Sequence, residues 1–131
     1  MSSDRPWAIN RLGSKRIIES AYVWRDLIDT GAIIVNGSDV PVEPINPLAS
    51  FYSSVTRKTL KGFPNNGYEP KQKMTRLEAL KSYTINAAYA AFEEKIKGSI
   101  DIGKYADFTV LSKNIITVPE NEILNTKVLY T

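Results

Sequence analysis

The sequence predicts an α/β fold, and only the closing part of one. Two observations carry this. A helical pattern over residues 14–30 runs directly into Ala32-Ile33-Ile34-Val35, a continuous apolar run of the kind that a parallel sheet buries on both faces. The chain offers no second run of that kind to lie beside it, and past residue 98 helical periodicity gives way to short β-segments. A strand buried on both faces needs neighbours and covering helices, so the pattern is that of a final helix–strand–helix unit followed by strands that also lack partners.

In the first helical segment Ile17, Ile18, Ala21, Trp24, Leu27 and Ile28 fall at helical spacing, with Lys15, Arg16, Glu19 and Asp26 on the other face. Ser14 is the expected N-cap and Gly31 the expected stop, because glycine accepts the left-handed conformation that ends a helix. The strand predicted over Ala32–Val35 ends at Asn36-Gly37-Ser38-Asp39, and Pro41, Pro44 and Pro47 stiffen the loop beyond it. A second helix is expected from about Leu48 to Leu60, followed by the turn-rich stretch Gly62–Gly67. Thr75-Arg76-Leu77-Glu78 has the form of a capping box. It opens a third helix expected to reach Phe92 and to bury Leu77, Leu80, Thr84, Ala87, Ala88 and Ala91, whose small members predict close packing against a neighbour. After Lys97-Gly98, a turn at Ile102-Gly103-Lys104 separates two expected strands, Asp107–Leu111 and Thr126–Thr131.

Composition narrows the chemistry. The 131 residues contain no histidine and no cysteine, which removes Ser-His-Asp and Cys-His nucleophile systems, His/Cys zinc sites and disulfides. Lys and Arg number 17 against 14 Asp and Glu, a net charge of +3. The basic residues are spread from Arg5 to Lys127 and are densest at Arg57-Lys58 with Lys61; without a basic stripe, no nucleic-acid partner is expected. Residues 1–13 lack the apolar core of a secretory signal. The apolar stretch Ala87–Phe92 falls far short of the ~20 residues of a membrane span, and no membrane partner is expected. The absent cysteines fit a reducing cytoplasm, the expected location.

Asp39 is the leading candidate for chemistry. It stands at the predicted end of the apolar strand, where the functional face of parallel α/β folds lies, and a carboxylate there can bind a cation or act as general base. The alternative is an Asp that bonds its own loop backbone. Glu43, in the same loop, could pair with it as a second catalytic carboxylate or simply face solvent. Trp7 with Arg5 and Arg11 could recognise a planar or anionic ligand, or Trp7 could anchor a loop. Tyr83, Asn86 and Tyr89 read as packing and capping residues, and Glu93 and Glu94 as a solvated face.

Several segments, in order, resemble a known family. They are Asp4-Arg5-Pro6-Trp7-Ala8, Arg11-Leu12-Gly13, Ala21-Tyr22-Val23-Trp24-Arg25, Gly37-Ser38-Asp39-Val40-Pro41-Val42-Glu43-Pro44, Thr56-Arg57-Lys58-Thr59, Thr75–Leu80, Tyr83–Ala90, Gly98-Ser99-Ile100 with Gly103-Lys104, Ala106-Asp107-Phe108 and Thr117-Val118-Pro119. Together they resemble the amidohydrolase family 3 branch of the metal-dependent hydrolases. The resemblance implies a C-terminal fragment of a (β/α)₈ barrel joined to strands of a small β-sandwich. Residues 1–97 would close the barrel, with Ile33–Val35 as its eighth strand, and residues 98–131 would begin the return into the sandwich. It further implies hydrolysis of non-peptide C–N bonds such as amides, and a divalent metal, zinc above all. Asp39 would serve both as metal ligand and as the group that moves protons between attacking water and leaving amine.

The family's His-x-His pair, its bridging lysine and its further histidines would all lie upstream of these residues. The expectation is therefore a chain inactive by itself that does not hold zinc stoichiometrically, completed by an N-terminal amidohydrolase chain or by a second copy of itself. The alternatives are a non-enzymatic remnant or self-associating interaction module, and a carboxylate-only hydrolase using Asp39 and Glu43.

Overall fold

The computed structural model describes residues 1–131, and its element order is helical first and β last, as expected for an α/β chain. Helix α1 spans Arg5–Ser20 and α2 spans Trp24–Asp29. The single helix expected over residues 14–30 is therefore two pieces. The backbone leaves helical geometry at Gly13 (φ 75°, ψ 161°), a kink that divides α1 into two helical stretches, the second starting beside Ser14 as expected, and again at Tyr22 (φ 59°). The second break has a tertiary cause: the Tyr22 carbonyl accepts a bond from the buried Arg57 guanidinium at 3.0 Å, a contact that helical periodicity cannot anticipate. The stop at Gly31 is as expected. With φ 88° it lets its own N–H reach the Ile28 carbonyl (2.8 Å) and the Ala32 N–H reach that of Leu27 (3.2 Å), a Schellman motif.

Ala32–Val35 forms no strand. A ladder needs a neighbour, and the N–H groups of Ile33, Ile34 and Val35 find no partner in the chain. Asn86 donates its side-chain amide to the Ile34 carbonyl at 2.9 Å, and the Asn36 N–H reaches the Ser82 carbonyl at 3.1 Å. Of the run, Ile34 packs against the core whereas Ile33 and Val35 are exposed. The expectation of burial on both faces is thus corrected.

Helix α3, Pro47–Thr56, begins with Asn46, whose side chain accepts from the Leu48 N–H at 3.0 Å, and ends at Arg57 in the left-handed region, short of the expected Leu60. Leu48, Phe51, Tyr52 and Val55 lie on one face of it at helical spacing and form the centre of the core, joined by Met74, Ala79, Ile115 and Ile123. Burying such side chains is worth about 1.5–3 kcal/mol each. The capping box is present: Thr75 accepts from the Glu78 N–H (3.2 Å), and the Glu78 carboxylate accepts from the Thr75 N–H (2.7 Å).

The helix it opens is not continuous to Phe92. Helix α4, Arg76–Tyr83, breaks at Thr84 (φ −122°, ψ −99°) and α5 runs Ile85–Ala90. The break rotates the inward face, so Ala79, Ser82 and Ala88 are buried while Leu77, Thr84 and Ala91 are exposed. The close neighbour predicted by the small residues is Gly98, where a Cβ would lie 2.7 Å from that of Ala88.

The two C-terminal segments are each other's partner. β1 (Val110–Leu111) pairs antiparallel with β2 (Val128–Tyr130), Val110 opposite Tyr130 and Leu111 opposite Val128, with the irregularity of a bulge between them. A short helix, α6 (Glu120–Ile123), lies between them in sequence and places Ile123 in the core. No helix is long and apolar enough to cross a membrane.

Candidate functional site

A cleft of about 870 Å³ opens between the N-terminal turn, the loop after Ala32–Val35 and α3. Asp39 and Glu43 both line it. Asp39 is exposed and adopts φ 56°, a conformation uncommon outside glycine. Its backbone carbonyl, not its carboxylate, takes the loop's bonds, from Val42 N–H at 2.8 Å and Glu43 N–H at 3.2 Å. The turn so formed brings Glu43 back to the cleft, where its carboxylate accepts a hydrogen bond from the Ser3 hydroxyl.

The cleft floor is rich in hydroxyls. Ser50 and Ser54 come from successive turns of α3, and Ser54 donates to the Ser50 carbonyl at 3.0 Å. Tyr83 reaches the same cleft from α4. Burial pushes its phenol up from the ordinary value, and the neighbouring Ser54 and Ser50 hydroxyls oppose that shift. Asn36, also in the lining, is held by its side-chain donation to the Ser82 hydroxyl at 2.9 Å.

Behind one wall lies a charge cluster that sequence reasoning missed. Arg57, fully buried, donates to the Tyr68 carbonyl (2.5 Å), the Tyr22 carbonyl (3.0 Å) and Glu69 (3.4 Å), and stacks over Trp24 at 5.1 Å. Arg5 approaches the same Glu69 carboxylate at 2.6 Å and covers the Tyr68 ring at 5.2 Å. Burial pulls the Arg57 guanidinium below its ordinary value; Glu69 counters this and Arg5 adds to it. Three residues of this cluster, Tyr22, Arg57 and Glu69, have positive φ. No spacing in the chain links positions 5, 57 and 69; the only local signal was the turn-rich stretch Gly62–Gly67 that returns the chain to α3.

The three residues considered together as a ligand site are not brought together for one. Arg5 is buried in its ion pair, whereas Trp7 is 73% exposed, anchoring no loop, and Arg11 is exposed. Asn86 serves the Ile34 carbonyl as a cap, Tyr89 is exposed, and Glu93 pairs with Lys97 on the surface.

The donor set does not fit a closed metal centre. Four ligands hold a structural zinc and three a catalytic one, but no group of three or more His, Cys, Asp or Glu side chains is placed to hold an ion. Asp39 lines the cleft with no second free carboxylate grouped with it, since Glu43 is engaged by Ser3.

Comparison with known proteins identifies the family. The model of an amidohydrolase family matches residues 1–131. A Bacillus subtilis (strain 168) protein named as an amidohydrolase, YtcJ, is 40% identical over 112 residues, which is 86% of this chain and 21% of that protein. The N-substituted formamide deformylase of Arthrobacter pascens is 34% identical over 107 residues, 82% of this chain and 19% of that enzyme. The Arabidopsis thaliana protein LONG AFTER FAR-RED 3 is 38% identical over 104 residues, 79% of this chain and 18% of that protein. The chain thus spans about a fifth of the length of the curated relatives it matches. No solved structure matches it. A family model that matches the whole chain, with relatives up to 40% identical over most of it, places this protein in the amidohydrolase family.

Proposed function

We propose that this chain is the C-terminal, barrel-closing segment of an enzyme that hydrolyses non-peptide C–N bonds such as amides, and that Asp39 is the catalytic carboxylate it contributes. On this reading residues 1–97 belong to a (β/α)₈ barrel, 98–131 to a β-sandwich, and the protein works in the cytoplasm. The observation that carries it is the placement of Asp39: an exposed carboxylate, at a left-handed backbone position, facing a cleft whose loop bonds are already satisfied by its main chain. Such a group is free to take a proton from water and return it to a departing amine. In the full-length family a divalent metal, zinc in the expected case, activates the water. The residues of this chain do not suffice to hold it, and the remaining ligands would come from an N-terminal amidohydrolase chain.

The test uses the purified 131-residue chain. Elemental analysis is expected to find less than one metal per chain, and amide hydrolysis is expected to be absent. Mixed with an N-terminal amidohydrolase chain carrying the histidines, it should gain activity that chelators abolish. Asp39→Asn should reduce that activity by about 10²-fold or more. Stoichiometric metal in the lone chain would overturn the reading. So would complemented activity indifferent to Asp39→Asn, while lone-chain hydrolysis insensitive to chelators would favour the carboxylate pair Asp39 and Glu43.

A second reading, a self-associating module without catalysis, is favoured by the apolar residues that the chain leaves uncovered, among them Ile33, Val35, Ile100, Ile102 and Tyr130. The two readings part on whether complementation restores hydrolysis.

A further inference from the structure

We infer that Asn36 is a positioning residue for Asp39: through two hydrogen bonds to Ser82 it hangs the loop that carries the carboxylate on the end of α4. What Asp39 does rests here on the amidohydrolase reading; how it is held rests on the hydrogen bonds alone.

A group that moves a proton has to stand within about 0.5 Å of its productive place, and rigid elements hold such a group better than loops do. In a parallel sheet the ladder of the preceding strand supplies that rigidity. This chain has no such ladder, and Asp39 stands on a loop. The backbones of Gly37 and Ser38 make no hydrogen bond, and that of Asp39 bonds only Val42 and Glu43 of its own loop. Asn36 is therefore the last residue before the carboxylate whose backbone is tied to another element.

The tie is double and its anchor is firm. The Asn36 N–H reaches the Ser82 carbonyl at 3.1 Å, and the Asn36 side-chain amide donates to the Ser82 hydroxyl at 2.9 Å. Ser82 stands in the last turn of α4, where carbonyls have no partner within the helix, so the loop satisfies a group that the helix leaves open. The Ser82 hydroxyl donates in turn to the Ala79 carbonyl at 2.6 Å. With its one proton used there, it meets Asn36 as an acceptor, which fixes the end of the amide that faces it. Ser82 and Ala79 are both fully buried, whereas Asn36 lines the cleft. Two residues earlier, Asn86 holds the Ile34 carbonyl from α5 at 2.9 Å. Side-chain amides thus do for this run what neighbouring strands do in a sheet.

Two variants and their combination test this. Asn36→Ala and Ser82→Ala each remove the side-chain bond and leave the backbone one, so the fold is kept, as urea unfolding verifies. In the chain alone, hydrogen exchange is read at the amides of Val42 and Glu43, which bond the Asp39 carbonyl. Relative to the Arg57 amide, it should quicken by about five- to tenfold in either variant. In the complex with an N-terminal amidohydrolase chain, kcat should fall about 10- to 100-fold. KM should change by less than about twofold, because the carboxylate is displaced and the rest of the cleft is not. The double variant should match the single ones, since all three lack the same bond. Asn36 is only half-buried, so its variant carries the test should Ser82→Ala disturb α4. Unchanged exchange, kcat losses that multiply in the double variant, or a loss carried by KM would each overturn the inference. A wild-type complex without hydrolysis would sink the hydrolytic reading, and the exchange rates would still decide whether Asn36 holds the loop.

Discussion

Arg57 is the residue on which most of the non-local order depends. Its guanidinium joins the break between α1 and α2, the loop at Tyr68-Glu69 and the end of α3. Arg57→Met would leave the Tyr68 carbonyl without its donor, the Tyr22 carbonyl with the Trp24 N–H alone and Glu69 with Arg5 alone. Removing one member of a buried charge cluster typically costs about 3–5 kcal/mol, and because Arg5 remains, the expected loss lies at the lower end. Urea unfolding followed by Trp24 fluorescence measures it. Lys58 stands next in sequence but pairs with the partly exposed Glu120 at 2.8 Å, so Lys58→Ala should cost less than about 1 kcal/mol. Equal losses for the two variants would deny Arg57 this role. At this scale the sequence misleads: the densest basic run looks like surface charge, yet its first residue is fully buried.

At the scale of elements, what is decided within a few residues was legible. The capping box at Thr75–Glu78, the stop at Gly31 and the turn at Gly103 are local hydrogen-bond and backbone arrangements, and they stand where the pattern puts them. What depends on distant partners was not. The helix over 14–30 breaks because Arg57 claims the Tyr22 carbonyl, and Ala32–Val35 forms no strand because a strand is defined by its neighbour. Asp39 was legible as a cleft residue from its place after that run, whereas the hydroxyls of Ser50 and Ser54 carried no mark.

The capping box also yields a pH dependence. Glu78 bonds Arg25 first and Thr75 second, and these hold its carboxyl down at about 2, against an ordinary value of 4.5. A depressed carboxyl contributes stability that is complete above its ordinary value and is lost as pH falls toward the folded one. Thermal melts are therefore expected to fall between pH 5 and pH 2, with about 2 kcal/mol of the change traceable to this partly exposed group after solvent screening. Glu78→Gln should be less stable at pH 7 and should flatten that part of the profile. A profile unchanged by the substitution would show that other carboxylates govern acid unfolding.

Over the whole molecule, the surface is too large for the mass. The accessible area is 8684 Å² for 14.7 kDa, whereas a compact monomer of that mass exposes about 6,900 Å². The chain hides about six-tenths of the surface of its unfolded form rather than the two-thirds usual at this length. The surplus of about 1,700 Å² exceeds the share that one partner contributes to a standard interface, about 800 Å². Static light scattering is accordingly expected to show a dimer or larger species for the chain alone, reverting to a one-to-one complex when an N-terminal amidohydrolase chain is supplied. A folded, strictly monomeric species at micromolar concentration would count against both forms of association.

The ion pair between Arg5 and Glu69 spans 64 positions of sequence, while the capping box and the Schellman turn each close within a few residues. Closing a long loop loses more chain entropy, and contacts of that separation form slowly. The order of folding follows: the helix ends set first, α3 gathers the core next, and the Arg5–Glu69 clasp comes last. Since that clasp holds Tyr68, which lines the same cleft as Asp39, the chain completes its chemical surface only after nearly everything else is in place.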